Sequence, residues 1–216
     1  MTGLIWKDLL TMRKAFKSYL LIIAFYAVLA YFDVLNFGFI NTFVQVMLMV
    51  LPLSAFAYDD QSKWDRYAMA LPVGRRAVVA ARYFFVLTLV LFGIALGLAG
   101  TVFICLFQGE DVLEVLLTLM ISATIGLLVS SILIPISYKS GAERARIYLY
   151  AILLIPFIGL LLLVKSDIID LSVLDNLGNL SPSALLGITS LLPLGALATL
   201  LLSYLISCRV VAGKEY

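Results

Sequence analysis

Trp64 and Tyr67 stand three residues apart among charges of both signs, with Asp60, Lys63 and Arg66 around them and Leu71 and Pro72 following. Large aromatic rings and arginine at helical spacing suit non-covalent docking, because both are enriched at protein contacts. Aromatic rings are equally at home among lipid headgroups. Earlier in the chain, Asn41 and Gln45 lie one helical turn apart inside 25 uncharged residues between Asp33 and Asp59. Neutral amides within such a run have two uses: to line a polar translocation path, or to hydrogen-bond a neighbouring helix. Bond-making chemistry has less to work with. The chain has no histidine, so the commonest metal ligand and the usual neutral-pH acid–base group are missing. No basic side chain lies within the apolar runs to activate a serine nucleophile, and the phosphate-binding Gly-x-x-x-x-Gly-Lys-Ser/Thr loop is absent. The expectation is a non-enzyme with no metal and no cofactor of its own.

The elements that position these residues follow from composition. Of 216 residues, 63% are hydrophobic and 13% charged, against about 25% charged in soluble domains. Mean hydropathy is +1.11. A bilayer-spanning helix needs roughly 17–25 apolar residues, and such runs recur along the chain. The reading is an all-α membrane protein of one domain, 1–216, with six spans at about 15–33, 38–58, 83–107, 113–137, 147–164 and 184–207. No cleavable signal peptide is expected, because Lys7, Asp8, Arg13, Lys14 and Lys17 interrupt the start.

Fourteen of the fifteen Lys and Arg residues fall in four segments: the N-terminus, the loop between spans two and three, the loop between spans four and five, and the C-terminus. The other three loops hold Lys165 and seven acids. Lys and Arg stay on the cytoplasmic side, so both termini are expected there. Cys105 and Cys208 then lie on opposite faces, and no disulfide joins them. The span interiors carry no ionisable residue, which counts against a proton- or ion-coupled carrier and an acid-ringed channel.

Three finer expectations follow. Ile5, Leu9, Met12 and Phe16 repeat at helical spacing, so residues 4–17 read as an amphipathic helix on the cytoplasmic leaflet or an extension of span one. Residues 165–183 mix acids with apolar side chains, which suits a re-entrant segment or an interfacial turn. Small residues recur at Gly195, Thr199, Ser203 and Ser207, at Ser122, Gly126 and Ser130, and at Gly93 and Gly97, where helix backbones can approach closely.

The loop from Tyr58 to Tyr83 reads as a compact helix–turn–helix. Asp59 and Asp60 open its first helix, Asp59 pairs with Lys63, and Pro72 and Gly74 end it. A basic helix from Arg75 to Arg82 then leads into span three. Asp59-Asp60-x-Ser-Lys-Trp, Leu71-Pro72-Val73-x-Arg75 and Arg82-Tyr83 resemble the first cytoplasmic loop of type-2 ABC exporter permeases. The group they most resemble is the bacterial six-span permeases of phenol-soluble-modulin exporters and related peptide-export systems. The resemblance covers the whole chain in layout. Asp60 stands where the family pattern has Glu, and Gly74 where it has Ser or Thr.

The resemblance implies a bacterial plasma-membrane permease that exports an amphipathic or hydrophobic substrate, a peptide first and a lipid or drug second. It implies a coupling helix, Asp60, Lys63, Trp64, Arg66, Tyr67, Leu71 and Pro72, docked on a separate ATPase subunit that holds ATP and Mg. It also implies a second permease chain, identical or not; nucleic acid is not an expected partner. The rival reading is a membrane scaffold or sensor whose loop binds some other protein.

Overall fold

The computed structural model describes residues 2–32, 37–64, 67–68, 74–107, 112–166 and 182–213. Among them there is no strand, and the helices are α1 Thr2–Thr11, α2 Arg13–Tyr31, α3 Phe37–Ser62, α4 Arg75–Phe107, α5 Val112–Ser140, α6 Ala142–Lys165 and α7 Pro182–Ala212. Among the described residues, five stretches are long and apolar enough to cross a membrane: Thr42–Ser62, Arg75–Gly100, Leu116–Ser140, Ala142–Lys165 and Thr189–Ala212. α2 holds a shorter apolar stretch, Ala15–Tyr26, where the first span is expected. Pro52, Pro135, Pro156 and Pro193 lie inside α3, α5, α6 and α7 without ending them.

α5 is the hub, packing on α3, α4, α6 and α7. Its sequence explains why: Ser122, Ala123, Thr124, Ser130, Ser131 and Ser137 are all buried and small, so neighbouring backbones can come close. Four of these hydroxyls bond carbonyls of their own helix, Ser122 to Leu119, Thr124 to Met120, Ser131 to Leu128 and Ser137 to Leu133. That satisfies them in an apolar setting without a partner helix.

The small-residue stripe of α7 serves the same packing over part of its length. Ser203 donates to the backbone carbonyl of Ser131 on α5. The buried Tyr83 hydroxyl of α4 meets Ser203 Oγ at 2.6 Å and Ser207 Oγ at 2.8 Å. At Gly195, at the other end of the stripe, an added β-carbon would meet nothing within 4 Å outside its own helix backbone. At the end of the same helix, Arg75 Nη1 of α4 donates to the Ala212 carbonyl at 3.2 Å, a cation on a helix C-terminus.

α1 and α2 are separated at Met12, which is 0% exposed. The apolar face expected along residues 4–17 turns onto protein, since Met12, Leu9 and Phe16 join a cluster with Leu48 and Leu51 of α3 and Phe85 of α4. α5 and α6 are joined by Gly141 alone, at φ +83°, a left-handed conformation that glycine adopts without steric cost. The expected re-entrant segment at 165–183 lies almost wholly outside the described residues. Cys208 is a free thiol.

Candidate functional site

Asp59 and Asp60 do not open a new helix. They occupy the last turn of α3, which ends at Ser62, and Lys63 follows at φ +54°. A left-handed residue just past the last turn is a common helix stop, so the helix expected from Asp59 onward is interrupted there. Two carboxylates beside a helix C-terminus are electrostatically unfavourable. Each is offset by a partner far away in the chain, and Asp59 pairs with those partners instead of Lys63.

Asp59 sits in a buried four-charge cluster. Lys7 Nζ of α1 lies 2.5 Å from Asp59 Oδ1 and 3.1 Å from Asp8 Oδ1. Arg82 of α4 places Nη2 on Asp59 Oδ2. Its Nη1 is 3.0 Å from Asp8 Oδ2, without the alignment of a hydrogen bond. The cluster holds two cations and two anions, so it is neutral as a unit. Asp8, Asp59 and Arg82 are all buried, where unpaired charge is costly. Two rings complete it: Phe56 lies 4.5 Å beneath the Arg82 guanidinium and Trp64 4.5 Å beneath the Lys7 ammonium. Phe56 in turn packs edge-on against Tyr138 of α5.

Asp60 points away from this cluster. Its Oδ2 accepts the Ala142 backbone N–H at 2.9 Å, supplying a cap for the first turn of α6 that the chain's own Gly141 cannot. Replacing Asp60 by alanine removes the cap from a part-buried N–H and is expected to cost about 0.5–2 kcal/mol. Thermal unfolding in detergent would read that loss, while asparagine, which keeps an acceptor, should recover most of it.

The remaining loop residues divide by exposure. Trp64 is half-buried, Ala68 is buried, and Lys63 and Tyr67 are exposed, Tyr67 at 68%. Arg66, Leu71 and Pro72 lie outside the described residues. The structure therefore brings Trp64 to the charge cluster, sends Asp60 to α6, and leaves Lys63 and Tyr67 facing outward.

Gln45 is 1% exposed, and its Nε2 has no hydrogen-bond partner. Its amide lies against Gly93 of α4, where a β-carbon would meet Leu48 Cδ1 at 2.7 Å and the Gln45 amide at 2.8 and 2.9 Å. The Gln45 amide thus packs at the contact between α3 and α4. The Asn41 side chain lies outside the described residues. Gly93→Ala should force α3 and α4 apart and destabilise by about 1–3 kcal/mol, the usual range for overpacking, measured by unfolding in detergent. Gln45→Leu removes an unpaired donor and is expected to be far milder.

Sequence reasoning missed the role of Asp8 and Arg82. The available signal was position: Asp8 is the one acid among four basic residues of the N-terminal segment, and Arg82 is alone between Ala77-Val-Val-Ala-Ala and Tyr-Phe-Phe. Isolated charge in an apolar helix points to a partner nearby in space.

No curated protein and no solved structure matches the chain. The family model described as ABC-2 family transporter protein matches residues 3–212, which takes in both the charge cluster and the loop it anchors. Membership implies a membrane setting and an ATPase partner. The chain thus belongs to the ABC-2 transporter family, as a multi-pass membrane permease component of an ABC transporter.

Proposed function

We propose that the chain is the six-span permease subunit of a bacterial ABC exporter, with α2 as the first span and both termini in the cytoplasm. It moves an amphipathic or hydrophobic substrate outward, with a peptide as the first assignment and a lipid or drug as the second. It works as a dimer of permease chains on two ATPase subunits that hold ATP and Mg. Chain 1–216 acts as one domain of the plasma membrane and performs no hydrolysis itself. The group it most resembles is the permeases of phenol-soluble-modulin exporters.

One observation carries this reading. The end of α3 is held by buried charge at Asp59, and Lys63 and Tyr67 just beyond it are exposed. A docking element needs both properties. Lys63 and Tyr67, with Arg66, Leu71 and Pro72, contact the ATPase; Asp60 and Trp64 keep the platform rigid under load. Movement of the partner on ATP binding then passes through Asp59 to α4 and α1, tilting helices as rigid bodies.

Pull-down of the tagged full chain in mild detergent tests it. A nucleotide-binding subunit is expected to co-purify in near-equal amount. Recovery of the folded chain with some other cytoplasmic protein and no ATPase would support the scaffold reading instead.

A further inference from the structure

α2 and α6 both pack on α3 but form no extended face with each other. Between them lies an open cleft of about 820 Å³. Its α2 and α3 side carries no charge apart from Asp60: Ala15 of α2, with Ser54, Ala57, Tyr58 and Gln61 of α3. Its mouth carries Glu143, Arg144 and Arg146 from the first turns of α6. Asp60 also borders the cleft but is engaged by the Ala142 N–H. Both arginines are exposed, and among the described residues neither forms an ion pair with Glu143 or any other acid. Arg146 itself lines the cleft from the α6 side.

We propose that this cleft binds a phospholipid from the cytoplasmic leaflet, with its phosphate on Arg144 and Arg146 and an acyl chain against Ala15, Ser54 and Ala57. The orientation rests on the reading above. The two-part lining selects the occupant. Guanidinium groups match phosphate oxygens in shape and charge, and basic pockets between spans on the cytoplasmic side suit lipid headgroups. A free anion would have no use for the apolar part of the lining, Ala15, Ala57 and Tyr58. A soluble protein would reach the mouth but not the wall between α2 and α6. The flank of α6 leading away from the cleft exposes Ile147, Tyr150, Leu154 and Ile155, so the cleft opens alongside a surface suited to lipid. Glu143 beside the arginines gives a place for the amine of an ethanolamine headgroup.

Native mass spectrometry of the full chain, purified from membranes in mild detergent, provides the test. Retained phosphatidylglycerol and phosphatidylethanolamine are the readout. Arg144→Gln with Arg146→Gln is expected to weaken retention roughly thirtyfold, from about 1 kcal/mol per basic residue at a lipid surface. Ala57→Phe, which fills the α2 and α3 side and keeps every charge, should also release lipid. Arg13→Gln with Lys17→Gln removes equal charge from residues that do not line the cleft and should change nothing. Equal retention by the wild type and the Arg144/Arg146 variant would overturn the proposal. Displacement of the lipid by excess inorganic phosphate alone would make the mouth a simple anion site, and would overturn it too. Loss of ATPase capture with unchanged lipid in the Arg144/Arg146 variant would reassign the mouth to the ATPase. ATPase capture by the wild type is scored separately, so failure here is distinct from failure of the transporter reading.

Discussion

Arg82→Ala is expected to destabilise the folded chain by about 3–5 kcal/mol, the range for removing one partner of a buried ion pair. Its guanidinium serves Asp8 on α1 and Asp59 on α3 at once. Without it, two buried carboxylates share the single ammonium of Lys7, and Phe56 loses the cation stacked upon it. Unfolding in detergent, followed by tryptophan fluorescence, reads the loss directly. Arg82→Lys should recover only part of it, because an ammonium lacks the planar, two-pronged donor geometry of a guanidinium. Lys7→Met should cost less than Arg82→Ala, since the Lys7 side chain is 24% exposed while that of Arg82 is 7%. If Arg82→Ala were as stable as the parent, the cluster would not be what holds α1, α3 and α4 together.

Trp64→Ala with Tyr67→Ala is expected to leave membrane insertion intact and to abolish substrate-stimulated ATP hydrolysis by the assembled transporter. The two residues contribute differently. Trp64 lies under the Lys7 ammonium, a contact worth about 0.5–2 kcal/mol depending on desolvation. Tyr67 is largely exposed and should add almost nothing to stability. Tyr67→Ala alone should therefore lower stimulated hydrolysis at unchanged melting temperature, whereas Trp64→Ala alone should lower both. Measuring ATPase rate with and without substrate, beside a melting curve for each variant, separates the two. Full stimulation in the double variant would show that this segment meets only lipid.

The two results bear on one mechanical idea. A permease without its own phosphate loop receives force through protein contact, and that force acts only if the receiving segment cannot yield. Charge pairing in a poorly solvated site is stiff in this sense, because each partner is costly to leave unpaired. Asp59 joins the end of α3 to α1 and α4, while Asp60 joins it to α6. Two neighbouring acids thereby connect the end of α3 to three helices and, through Gly141, to the α5 hub.

The long apolar helices were legible in the amino-acid order, although α4, α6 and α7 extend about five to eight residues past the expected spans. Span two was expected at 38–58 and α3 runs Phe37–Ser62; span four was expected at 113–137 and α5 runs Val112–Ser140. The reason is local: a bilayer demands about 20 apolar residues in a row with every backbone group bonded inside its own helix. The charged partners were not legible, because none of them is local. Asp59 finds Lys7 across 52 positions and Asp60 finds Ala142 across 82, and the i,i+4 pairing of Asp59 with Lys63 gave way to them. The closeness of Gly93 to the Gln45 amide was equally hidden. Length, hydropathy and helix ends are properties of a single segment, and spacing along the chain determines them. Which acid meets which base depends on which helices become neighbours, and only the packing of α1, α3, α4 and α6 around one end of the bundle decided that.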